Sequence, residues 1–189
     1  MANGAIPHQT VGPYFHIGLA WRFQPEIAPP GVPGERVTVT GRVLDGDGRP
    51  VPDAMIEVWQ ADPEGRYPHP EDPRSAEVDP RFRGFGRVPT DGDGVFRIAT
   101  VKPGRVPGPD GRTQAPHLVA SVFMRGLLRH LVTRMYFPDD PANADDPVLS
   151  RVEPARRGTL VARRGGDAPG ALAWDVVLQG EAETVFFDC

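Results

Sequence analysis

Two runs decide the fold class: Arg36-Val37-Thr38-Val39-Thr40-Gly41-Arg42-Val43-Leu44 and Ala54-Met55-Ile56-Glu57-Val58-Trp59-Gln60, with Asp45-Gly46-Asp47-Gly48 between them. In the first, Val37, Val39, Gly41 and Val43 alternate with polar residues, the period of a half-buried strand. The second is rich in β-branched and aromatic side chains and reads as another strand. Asp-Gly pairs are strong turn signals, so the two runs predict an antiparallel hairpin.

The same grammar continues along the chain. A second Asp91-Gly92-Asp93-Gly94 turn precedes the strand Val95-Phe96-Arg97-Ile98-Ala99-Thr100-Val101, which ends at Lys102-Pro103-Gly104. Further strands are expected from His117 to Met124 and from Leu127 to Phe137. Leu127, Leu128, Leu131 and Val132 also fit a helix. Val132, Thr133, Tyr136 and Phe137, with Gly126 before them and Pro138-Asp139-Asp140 after, favour the strand. Asp145 to Val152 predicts a short helix with Pro147 in its first turn. Thr159 to Arg163 and Trp174 to Leu178 read as the last strands, joined across a glycine-rich turn. Residues 61–82 and 105–116 are long loops, and loops of that length inside a compact domain often carry function.

Composition agrees with a globular chain. The protein has 189 residues, 39% of them apolar, which suits one domain with a substantial core. Its 22 glycines and 23 prolines fit many turns and ordered loops. The net charge of −4 comes from mixed acidic and basic residues, and no basic stripe points to nucleic acid. The one cysteine, Cys189, excludes a disulfide scaffold. Met1-Ala2-Asn3-Gly4 has no charged and apolar leader pattern, and no apolar run reaches membrane-spanning length. A soluble, cytoplasmic protein is the expectation. The expected organisation is an N-terminal arm over 1–34 that contacts a partner subunit, then a single β-sandwich over 35–189.

Several segments carry a resemblance. They are Gln9-Thr10-Val11-Gly12-Pro13-Tyr14-Phe15, Gly41-Arg42-Val43-Leu44-Asp45, Ile56-Glu57-Val58-Trp59-Gln60-Ala61, Gly65-Arg66-Tyr67, Asp91-Gly92-Asp93-Gly94, Lys102-Pro103-Gly104, Ala115-Pro116-His117 and Thr133-Arg134-Met135-Tyr136-Phe137. In that order they resemble the intradiol ring-cleaving dioxygenases, over most of the chain. The resemblance implies an all-β, antiparallel β-sandwich of the intradiol dioxygenase type, with long loops and an extended N-terminal arm. It also implies Fe3+ held by two tyrosines and two histidines, the histidines as His-x-His so that residues i and i+2 of a strand face one metal.

This chain keeps half of that set. Tyr67 matches the first tyrosine and His117 the first histidine, while Val106 and Val119 stand at the other two positions. Valine has no lone pair to offer. From Pro103 to Met124 there is no tyrosine and no histidine other than His117, so no shift of register restores the ligands. The chain therefore resembles the iron-free α subunit of the hetero-oligomeric members, whose homologous β subunit carries the iron. By that resemblance Thr10, Gly12, Pro13, Tyr14 and Arg125 bind substrate in the partner's pocket, and this chain supplies no catalytic residue and no metal ligand. The reaction implied is O2-dependent cleavage of protocatechuate to 3-carboxy-cis,cis-muconate, with the isolated chain inactive.

Other readings stay open at this point. A lone loop tyrosine such as Tyr67 more often packs on a sandwich than binds metal, and a lone His117 is more often a hydrogen-bonded structural group. Arg125 is either a surface arginine at a strand end or a partner for the substrate carboxylate. His8, His16, His69 and His130 share no ligand spacing, and Trp59 and Trp174 read as core or rim packing. The alternative function is a non-enzymatic β-sandwich module that binds a small aromatic or a protein. A homo-oligomeric enzyme with a different metal site ranks below both.

Overall fold

The computed structural model describes Thr10, Gly12 and residues 17–108 and 111–188. Pro13 and Tyr14 lie outside the described residues. Among the described residues eleven strands are formed: β1 Arg36–Leu44, β2 Met55–Trp59, β3 Phe85–Pro89, β4 Val95–Val101, β5 Val106–Pro107, β6 Thr113–Gln114, β7 His117–Phe123, β8 Leu131–Tyr136, β9 Arg163–Arg164, β10 Ala171–Ala173 and β11 Val176–Val177.

They make two main sheets. In one, β1 pairs antiparallel with β4 along one edge and parallel with β10 and β11 along the other, while β9 pairs β10. The second sheet is fully antiparallel in the order β3-β2-β7-β8. A small β5–β6 hairpin stands apart. Alternation drives the assembly. Val37, Val39 and Val43 of β1, Ile56 and Val58 of β2, Phe96 and Ile98 of β4, and Leu118, Ala120 and Val122 of β7 all point into one shared core. The expected β-sandwich is observed.

Three local expectations are corrected. β1 and β2 are not a hairpin: they lie in different sheets. The Asp45–Gly48 turn closes on its own strand, with Asp45 N donating to Arg49 O, and the chain then crosses the core. The short helix over Asp145–Val152 is replaced by a run of 3-10 turns at Pro141–Asp145, Leu149–Arg151 and Pro154–Leu160. A proline every six or seven residues removes the donors an α-helix needs. Of the strand expected over Thr159–Arg163, Thr159 and Leu160 close the last 3-10 turn, Val161 makes an isolated bridge to Tyr136 and Arg163 opens β9; of the Trp174–Leu178 run only Val176–Val177 is strand, with β10 lying just before Trp174. There Gly41 has a specific job. A Cβ on it would sit 1.7 Å from the Trp174 carbonyl oxygen, so only glycine lets that backbone cross β1.

Part of the expected arm belongs to the sandwich. Gln24 and Glu26 form bridges to Arg87 and Ala99, and Ile27 and Ala28 are fully buried in the main core. A second, smaller core of Ala115, Tyr136, Leu149, Val152 and Leu160 lies where the 3-10 run covers the far side of the second sheet. No helix among the described residues is long and apolar enough to cross a membrane.

Candidate functional site

The second sheet presents one face to the core and the other to the residues singled out by sequence. On β7, Leu118, Ala120 and Val122 point inward, so His117, Val119, Ser121 and Phe123 share the opposite face. Strand register sets their neighbours. Trp59 of β2, Val119 of β7 and Arg134 of β8 form one row, and His117 pairs with Tyr136 in the next.

Tyr67 reaches this face from the long loop. Its ring stacks on Trp59 with centroids 5.7 Å apart, and its backbone N–H donates to Asp72 Oδ2 at 2.8 Å. Trp59, Tyr67, His69, Arg74 and Arg105 line an open cavity of about 690 Å³. His117 is buried, and its Nδ1–H donates to the Ala115 carbonyl at 2.7 Å, leaving the lone pair on Nε2. Burial, reinforced by the Arg134 guanidinium, pushes its pKa down to about 4, so the ring is neutral at neutral pH. Burial raises the Tyr67 phenol, keeping it protonated, although Arg134 opposes the shift.

Arg134 is the group that sequence reasoning missed here. Its Nη1 donates to Gln114 Oε1 at 2.6 Å and reaches Tyr136 Oη at 3.5 Å. The Tyr136 hydroxyl in turn donates to Asp146 Oδ1 at 3.0 Å. Asp146 is fully buried, and it also accepts from the N–H groups of Ala115, Val148 and Leu149. A guanidinium and its network thus occupy the surroundings of Tyr67 and His117. The Val106 side chain is buried and Val119 is half-buried beside Arg134. The Tyr67 phenol and the His117 imidazole are two donors, and with isopropyl groups at the other two positions and the Arg134 guanidinium alongside they do not make the set of anionic oxygen and nitrogen donors that a ferric ion asks for. Among the described residues no group of three or more His, Cys, Asp or Glu could hold a metal ion.

The other candidate residues gather at the opposite end of β7. Thr10 Oγ1 accepts from Gly126 N–H at 3.1 Å, joining residues far apart in sequence. It also accepts from Gly12 N–H at 3.5 Å, and Gly12 takes the left-handed backbone region at φ 61°. Arg125, next to Gly126 in the turn after β7, has a side chain 65% exposed whose Nε lies 3.0 Å from Asp53 Oδ2. Thr10, Gly12 and Arg125 therefore form one corner. Tyr67, His117, Val106 and Val119 belong to the other end. A strand rises about 3.3 Å per residue, so His117 and the Arg125 corner are about 20 Å apart.

The chain matches the family described as Dioxygenase over residues 12–180. It belongs to that family. It is 45% identical over 196 residues to the protocatechuate 3,4-dioxygenase alpha chain of Burkholderia cepacia, covering 96% of each. The beta chain from the same organism is 43% identical over 159 residues, spanning 80% of this chain and 67% of that one. Among solved structures, the dioxygenase domain of a dioxygenase carbohydrate-binding protein fusion from Streptomyces sp. SirexAA-E superposes with a TM-score of 0.63. The identity is 25%, and 86% and 89% of the two chains are covered.

Proposed function

We propose that this dioxygenase-family chain is the α subunit of a protocatechuate 3,4-dioxygenase, working with a homologous β subunit that holds the Fe3+. The chain itself binds no iron. The assembled enzyme inserts both atoms of O2 as it cuts protocatechuate between its two hydroxylated carbons, giving 3-carboxy-cis,cis-muconate.

One observation carries this reading: the separation along β7. His117 opens β7 and the corner of Thr10, Gly12 and Arg125 follows its end, so a strand of seven residues, about 20 Å at about 3.3 Å per residue, stands between that corner and His117. That separation supports a role for these residues in a pocket completed by another chain. The arm ahead of Gln24, with Thr10, Gly12, Pro13 and Tyr14, reaches the partner, while the rest of the 1–34 segment is laid on its own sandwich. Gly12 permits close backbone approach, Pro13 stiffens the wall, and Tyr14 offers an aromatic face with a polar tip. Arg125 pairs with the substrate carboxylate.

The test is metal analysis and oxygen uptake on this chain, on its partner and on the two combined. Iron is expected in the partner and the complex, and full turnover only in the complex. Stoichiometric iron and ring cleavage by this chain alone would refute the reading.

A further inference from the structure

The Arg125 corner has a second member. Asp53 sits in the crossover between β1 and β2, its side chain only 19% exposed, and its Oδ2 is 3.0 Å from Arg125 Nε. That oxygen is buried, and among the described residues no aligned hydrogen-bond donor reaches it. The contact is a charge pair, and Arg125 is the cation that compensates the carboxylate. A carboxylate left without its partner in such a place is costly, which ties Asp53 to one position of Arg125.

The geometry of the pair leaves a specific part of Arg125 available. Asp53 lies against Nε. Nη1 and Nη2 make no hydrogen bond to the described residues, and the side chain is largely in solvent. A guanidinium can hold one carboxylate along its Nε side and present its end to another. Unheld, a long arginine side chain would lose rotamer freedom each time it bound substrate.

We infer that Asp53 is a positioning residue that pre-sets Arg125, through the Nε contact, for recognition of the substrate carboxylate. Asp53 touches no substrate and acts only through Arg125. The inference rests on the reading of Arg125 given under the proposed function, and the experiment separates the two.

The experiment uses the complex of this chain with its partner. The Michaelis constant and kcat for protocatechuate are measured for the wild type, Asp53→Asn, Asp53→Glu, Arg125→Ala and the double variant Asp53→Asn/Arg125→Ala. Catechol, the same ring without the carboxylate, is titrated as a competitive inhibitor. Asp53→Asn is expected to raise KM for protocatechuate about tenfold, the scale of one charge-assisted hydrogen bond. It leaves kcat within about twofold and the catechol inhibition constant unchanged, because catechol has no group for Arg125. Asp53→Glu recovers part of the loss. The double variant is no worse than Arg125→Ala, as expected for two residues acting as one unit.

If Arg125→Ala raises KM but Asp53→Asn does not, the role of Asp53 is refuted and the anchor stands. If Arg125→Ala leaves KM unchanged, the anchor reading itself fails and takes this inference with it. An equal loss of catechol binding in Asp53→Asn would mark a structural defect and overturn the inference. Should Asp53→Asn fail to assemble, Arg125→Lys reads the same pair. Lysine keeps the charge without a two-sided fork, so KM rises as for Arg125→Ala, and wild-type behaviour would overturn the inference.

Discussion

The two ends of β7 have taken opposite paths on one strand. At the His117 end a linked set of polar groups is engaged: imidazole on a carbonyl, guanidinium on an amide, hydroxyl on a buried carboxylate. At the Arg125 end the arginine side chain stands in solvent, and among the described residues one side of its guanidinium is engaged, by the largely buried Asp53. The first arrangement is buried and the second is exposed. Arg134 sets the electrostatics of that buried end, because a permanent cation sits beside the Tyr67 phenol and the His117 imidazole.

This contrast can be broken most severely at Asp146. Asp146→Ala strips four donors of their acceptor, the N–H groups of Ala115, Val148 and Leu149 and the Tyr136 hydroxyl. Urea unfolding should show a loss of about 4 kcal/mol, as for other buried charged hubs. The folded fraction, mixed with partner, should keep its KM, since the damage lies at the far end of β7. A KM that moved with stability would erase the distinction.

A smaller effect sharpens it through pH. The His117 pKa is about 4 in the fold against 6.5 when exposed. Between those values the unfolded chain binds a proton that the folded chain refuses. Stability from this group is therefore complete above pH 6.5 and is lost as pH falls towards 4, by on the order of 3 kcal/mol. His117→Gln, which can still donate to Ala115 O, should flatten that part of the stability profile. An unchanged slope would place the titration elsewhere.

The smallest effect belongs to the open end. Thr10→Ala removes the acceptor for Gly126 N–H. Thermal unfolding should register less than about 0.5 kcal/mol, as expected for an exposed contact. The KM of the complex for protocatechuate should rise about twofold from a loosened arm, well below the effect of one full charge-assisted bond. A larger stability loss would assign Thr10 to the fold instead of the rim.

Much of this was readable from residue order. Alternation at Val37, Val39 and Val43 gave β1, and the same logic gave β2, β4 and β7 nearly to their ends. Pairing was not readable, because alternation tells which side of a strand is buried and says nothing of which strand lies next to it. Hence β1 and β2, neighbours in sequence, were expected to pair and instead face each other across the core. Pro141, Pro147 and Pro154 did hold the signal against an α-helix. The two valines at ligand positions were visible at once. Arg134 was in plain view two residues before Tyr136, but its meaning depended on strand register placing it beside Val119. Asp53 gave no local sign at all, since only the fold brings it to Arg125.

The path of the backbone over Gly41 has a consequence for synthesis. β1 gains its second edge from β10 and β11, made about 130 residues later, which at about 10 residues per second leaves that edge bare for roughly ten seconds on the ribosome. During that interval the strand offers unpaired N–H and C=O groups to any extended segment nearby. A message truncated before Ala171 would release chains frozen in that sticky state, so expression of shortened forms should yield inclusion bodies where the full-length product does not.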